Sequence, residues 1–180
     1  MGENREHDRV PAVVQVHNTV FGADALMHRF LKHHIPWHQP TSDPTIGVRK
    51  NGKLVAAVAY SDFNGAHMIA TIAAVPGSGW ADRTTLFTLF AYPFIQMECK
   101  AITVLVAASN PRSLNLATKL GFKGEAIVTY AAHDGTDLLV LKMKRGECRW
   151  LRHGQQQVRK RTGRAEPGDH GPDRIEYQSA

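Results

Sequence analysis

Hydrophobic positions along this chain switch between two spacings, and the switches sketch a small α/β protein. Ala25, Leu26, Phe30 and Leu31 recur every three or four residues, which predicts a helix over 24–34 that Pro36 brings to a stop. Residues 46–50 and 53–60 are strand-like runs separated by Asn51-Gly52, a pair that accepts the two positive φ angles of a tight hairpin turn. A further strand is predicted over 67–75, after a polar turn at 61–66. Residues 84–97 read as a helix, 102–108 as a buried β-branched strand, and 126–132 with 138–143 as a closing hairpin around His133-Asp134-Gly135. Val13, Val14 and Val16 offer a short lead-in strand behind a polar N-terminus at 1–9.

The most structured segment is 110–125, NPRSLNLATKLGFKGE. Pro111 stands where a missing N–H matters little, Asn110 stands as N-cap, and Leu114, Leu116, Ala117 and Leu120 form the apolar face. Gly121 then occupies the left-handed helix end, and a strand follows.

The order Asn110, Ser113, Lys119-Leu120-Gly121-Phe122 and Glu125 resembles the Gcn5-related N-acetyltransferase (GNAT) superfamily, most closely its ribosomal-protein-alanine branch. The resemblance implies an α/β fold whose mixed, mostly antiparallel sheet splays at a parallel pair, its fourth and fifth strands, with flanking helices. The predicted element order agrees with it. It further implies acetyl-CoA as co-substrate, transfer to a primary amine on a small molecule or protein, and direct attack on the thioester.

That chemistry needs a cradle for the pyrophosphate, a base for the ammonium and a donor to the departing thiolate. In the family the cradle is a glycine-bearing loop at a helix N-terminus. The matching segment here is 76–85, so the resemblance assigns the cofactor to Ala73, Ala74 and Val75 with Gly77, Gly79, Trp80, Arg83 and Thr84. The segment departs from the family spacing, and Asp82 places a negative charge there, so an ordinary strand-to-helix turn with Asp82 as N-cap is the competing reading. His67, whose ordinary pKa of about 6.5 suits proton acceptance, and Asp62 are the candidates for base. The tyrosine that many members carry seven residues after the asparagine is replaced by Ala117. Ser113 is therefore the candidate donor to sulfur, with Asn110 beside the thioester and Tyr130 as an alternative donor. A serine in a first helical turn can instead satisfy a backbone group.

His28, His33, His34 and His38 crowd one region, but no acidic or cysteine partner completes a metal-ligand set. They read as a solvated helix face or a substrate-side wall, with no metal expected, and Trp37 as core or rim packing.

Composition changes this picture in two places. Hydrophobic residues make up 43% of the chain, enough for one core. No apolar run reaches the roughly 20 residues of a membrane span, and two cysteines without a signal-peptide pattern fit a reducing cytoplasm. The net charge of +6 is local. Residues 1–143 are near balance, whereas 144–164 hold Lys144, Arg145, Arg149, Arg152, Arg159, Lys160, Arg161 and Arg164 against Glu147, and 165–180 turn acidic. The expected layout is a domain over 10–145 and a disordered tail over 146–180. The basic stretch could contact nucleic-acid phosphates, weakly and with salt sensitivity. The segments 90–94 and 146–151 also resemble GNAT-like proteins of tailed phages, which implies as an alternative a non-catalytic virion, ejection or host-interaction role with phage virion components as partners.

Overall fold

The computed structural model describes residues 18–152. The polar N-terminus, Val13, Val14 and Val16, and the tail from 153 onward, Arg159 to Arg164 included, lie outside the described residues. The elements are β1 (Thr19–Val20), α1 (Asp24–His34), β2 (Thr45–Lys50), β3 (Lys53–Ser61), β4 (His67–Ala74), α2 (Arg83–Ala91) running into a π-helical turn (Tyr92–Gln96), β5 (Ala101–Ala107), α3 (Pro111–Leu120), β6 (Lys123–Val128), β7 (Leu138–Lys144) and a 3-10 turn (Arg145–Glu147).

The strands form a single sheet in the order β1-β2-β3-β4-β5-β7-β6. Every neighbouring pair is antiparallel except β4 and β5. That parallel pair is in register only from His67↔Ala101 to Ile69↔Thr103. Farther along, β4 stays with β3 as far as Ala74 and β5 stays with β7 as far as Ala107. The two strands therefore separate, and the sheet opens at its middle as the resemblance implies.

The β2–β3 hairpin turns at Asn51 and Gly52, with φ of 50° and 74°, as the Asn-Gly pair requires. β3 is buried along most of its length because both faces are covered. Ala57 and Ala59 meet Met27 and Leu31 of α1 on one face. Ala56, Val58 and Tyr60 join α2, α3 and β5 in the larger core on the other. Gly47 makes the notch that seats α1, since a Cβ there would stand 2.3 Å from Met27 Sδ.

Two elements differ from the sequence reading. The helix expected over 84–97 keeps α-helical bonding only as far as Ala91, because Pro93 has no N–H for the carbonyl of Leu89. The buried Tyr60 hydroxyl takes that place, donating to Leu89 O at 2.7 Å, and burial raises its pKa well above the ordinary tyrosine value. The strand expected over 126–132 instead runs from Lys123 to Val128. It is exposed along its whole length, so no burial alternation marks it.

The ordered body also continues past residue 145. Cys148 and Leu151 are buried in the main core. Trp150 Nε1 donates to Leu120 O at 2.7 Å, and Arg149 donates to Lys119 O, so this segment satisfies carbonyls that the end of α3 leaves open.

Tyr60→Phe, which leaves Leu89 O buried and unpaired, should destabilise the protein by about 1–3 kcal/mol in urea unfolding. In a Pro93→Ala background, where an N–H can return, the loss should shrink; an equal loss in both backgrounds would refute the pairing.

Candidate active site

Where β4 and β5 part, a cleft of about 730 Å³ opens, within the size range of ligand pockets. Its floor is Ile69–Ala74 of β4 and Val104–Ala107 of β5. Leu105 faces it and remains 45% exposed, apolar surface that a bound hydrocarbon arm would cover.

One end is built by α3. Asn110 caps the helix, its Oδ1 accepting from Ser113 N at 3.0 Å, and Gly121 closes it with φ 108°. Asn110, Arg112 and Ser113 border the cleft. The Ser113 hydroxyl has no protein partner among the described residues, so it remains available to a ligand. Ala117, at the position of the missing tyrosine, is buried and also borders the cleft.

A second wall comes from the end of α1, the α1–β2 loop and the β6–β7 loop. His34, Trp37, His38 and His133 all border the cleft. The Trp37 and His133 rings are stacked, with centroids 3.3 Å apart. His38 Nε2 lies 3.0 Å from Nδ1 of the buried His28. Burial, then the neighbouring His33, lowers the pKa of His34. His38 is lowered by burial first, then by His28 and Lys32, against a smaller opposing effect of Asp43. Among the described residues no three His, Cys, Asp or Glu side chains gather as a metal set.

Asp134 ties this wall to the α3 end. Its carboxylate accepts from the Ser109 hydroxyl, next to Asn110, and from the Thr136 hydroxyl and amide. These bonds, Ser109 first, hold its pKa far below the ordinary carboxylate value.

The remaining sequence candidates are more scattered. Ala73 and Ala74 line the cleft, whereas Val75 is exposed just beyond the end of β4. Gly77 and Gly79 adopt φ of 72° and 63° in the loop leading to α2, and Lys50 donates to Gly79 O. The Trp80 side chain is buried in the main core, where it anchors that loop. Arg83 is exposed at the first position of α2. Asp82 is the N-cap, accepting from Thr84 N and Thr85 N at 3.1 and 2.9 Å and from the Thr85 hydroxyl. The competing reading of this turn thus holds for the cap itself, and two amides that a phosphate would want are already engaged.

His67 stands at the closed end of the β4–β5 pair, its Nε2 2.7 Å from Thr103 Oγ1, apart from the cleft lining. Asp62 is exposed at φ 56° and accepts from Ser61 Oγ. Tyr130 is 84% exposed. None of the three meets Ser113. Sequence reasoning passed over His133, treated only as a turn residue, and Arg112. The histidine crowd around 28–38 was the one signal pointing to the wall.

No family model and no curated protein matches the sequence. Solved structures do resemble the fold. A chimera of the Vibrio cholerae spermidine N-acetyltransferase SpeG and hSSAT is 17% identical, covers 75% of this chain and 99% of its own, and has a TM-score of 0.57. Mutant forms of the Vibrio cholerae spermidine/spermine N-acetyltransferase SpeG are 19% identical over 69% of this chain and 77% of theirs, at 0.53. A dodecameric spermidine N-acetyltransferase from Vibrio cholerae is 20% identical over 66% and 72%, at 0.52. At these identities the likeness shows the fold, and the chain has the GNAT fold.

Asp134 supplies a pH-dependent clamp. Because its folded value is depressed, its contribution is present above the ordinary carboxylate range and is lost as pH falls through the depressed value. Ser109→Ala should move the Asp134 titration, followed by carboxyl-carbon NMR, upward towards the ordinary value. An unchanged titration would show that the Ser109 bond does not hold the loops together.

Proposed function

We propose that this protein is an acetyl-CoA-dependent N-acetyltransferase acting on a primary amine by direct attack on the thioester. The observation that carries the proposal is the cleft between the diverging strands, with Asn110 and Ser113 at one side of it. Backbone groups on the inner edges of β4 and β5 lack a strand partner there and suit an amide-bearing arm such as pantetheine. On this reading Ala73, Ala74 and Val75 meet that arm, and Asn110 and Ser113 flank the thioester. The Ser113 hydroxyl donates to sulfur as the C–S bond breaks.

The pyrophosphate would lie against the loop of Gly77 and Gly79 and the start of α2, with Arg83, Thr84 and Lys50 nearby. Backbone amides from Gly79 to Arg83 have no acceptor among the described residues, while Asp82 both opposes an anion and occupies the next two amides. The cleft lining carries Arg112 and three histidines without a carboxylate among the described residues. An acceptor with several extra positive charges, such as spermidine, would find no counter-charge there. A singly charged amine fits better. The ribosomal-protein-alanine likeness is compatible with that, as a terminal α-amine is such an acceptor.

The capping of α2 by Asp82 favours a second reading, a GNAT-fold protein without transferase activity, for which the phage-like segments 90–94 and 146–151 suggest a virion or host-interaction role. The two readings separate on cofactor binding. Calorimetric titration should show micromolar acetyl-CoA affinity, weakened at least tenfold in Arg83→Ala, about 1.4 kcal/mol. Asp82→Asn, which keeps a competent cap while removing the charge, should bind more tightly than the parent. Undetectable binding by both the parent and Asp82→Asn would favour the non-catalytic reading.

A further inference from the structure

Resting on the transferase reading, we propose that His38 is the general base that takes the proton of the acceptor ammonium, with buried His28 as the residue that fixes its tautomer. His28 is 2% exposed on α1, and both of its ring nitrogens have partners. Its Nε2 lies 3.3 Å from the carbonyl oxygen of Asp43, and its Nδ1 lies 3.0 Å from His38 Nε2. The two rings are nearly parallel, 11° apart, with centroids 5.3 Å apart.

A carbonyl oxygen can only accept, so the hydrogen of neutral His28 sits on Nε2. Its Nδ1 is then an acceptor, and His38 Nε2 must carry a hydrogen and donate to it. Neutral His38 is left with its lone pair on Nδ1. That atom has no partner among the described residues, and His38 borders the cleft. The run from the Asp43 carbonyl through two imidazoles thus ends in a proton acceptor on the acceptor-side wall.

The surroundings keep that acceptor unprotonated at rest. Burial first, then the His28 ring and Lys32, both on α1, disfavour the charged form of His38, while the Asp43 carboxylate in the loop before β2 favours it. His34, which also borders the cleft, is likewise lowered. The folded value of His38 therefore lies below the ordinary histidine value, and near neutral pH the base is in its accepting form.

The step balances without a further reagent. A proton passes from R–NH₃⁺ to His38 Nδ1, and the freed lone pair forms the C–N bond. The C–S bond breaks with its electrons on sulfur, and a second proton from the attacking nitrogen ends on the thiolate. His38 returns its proton to solvent, giving N-acetylamine, coenzyme A thiol and one released proton.

Long-range ¹H–¹⁵N correlation of the ring nitrogens, assigned with His28→Gln and His38→Gln, reads the tautomers whether or not any amine is acetylated. Both rings should be Nε2–H at neutral pH, with His38 gaining its proton at Nδ1 below the ordinary histidine value. A His38 ring that is Nδ1–H at rest would overturn the base assignment and leave the transferase reading standing. In thiol-release assays over an amine panel, His38→Gln should lower kcat about 100-fold, keep acetyl-CoA affinity and lose the acidic limb of the pH profile. His28→Phe, which retains a ring but offers no acceptor, should displace that limb, a change that a purely structural residue would not produce. Parent-like kcat and pH profile in His38→Gln would refute the proposal. An inactive parent with the expected tautomers would instead defeat the transferase reading, and the base role with it.

Discussion

Everything distinctive about this molecule follows from the short contact between β4 and β5. A parallel pair that closed along its full length would make one continuous sheet with no interior edge. Here three residues on each strand are in register, and the outer neighbours β3 and β7 then draw the strands apart. Inner-edge amides and carbonyls are left without partners in the sheet, and such groups are tolerated only where water or a ligand can meet them. The cleft therefore comes from the pairing pattern, and the ends of β4 and β5 deliver the α2 loop and the start of α3 to its margins. Tyr60, through Leu89 O, and Asp134, through Ser109, hold the flanking elements in place.

The charge layout of the cleft divides its chemistry. Beyond the cleft lining, the loop before α2 has Lys50 beside it and leads to Arg83, while Asp82 spends its carboxylate on the helix cap. The wall at the end of α1 carries the imidazoles of His34 and His38, lowered by burial, and a stacked Trp37–His133 pair. Neutral rings at that wall can receive a proton and present an apolar face, whereas a row of carboxylates would select polycations.

Much of the fold was legible because its signals are local. Asn51-Gly52 marked the hairpin, Pro36 the end of α1, and Asn110 with Gly121 both ends of α3. Features fixed by tertiary contact were not legible. The bond that replaces the one lost at Pro93 comes from Tyr60, far away in sequence, and β6 lacks alternation because it is exposed along its whole length. The boundary near residue 145 was set by charge, which cannot report that Cys148 and Leu151 are buried. Of the site, Asn110 and Ser113 came from a motif, and the histidine crowd was visible as composition. His67 was chosen because an imidazole can accept a proton, and nothing local in the sequence tells that it stands at the closed end of the β4–β5 pair. The tautomer-setting contact between His28 and His38 joins residues ten apart across a helix end and a loop, a geometry no periodicity encodes.

Backbone-amide chemical shifts of uniformly ¹⁵N-labelled protein during addition of acetyl-CoA test the cleft between β4 and β5 most directly. Saturable shifts and slowed hydrogen exchange at Ala70–Ala74, Val104–Ala107, the loop from Gly77 to Thr84 and the first turn of α3 are the predicted result. Saturable shifts that leave both strand edges untouched, or no shifts at all, would contradict the claim that the diverging strands form a cofactor site.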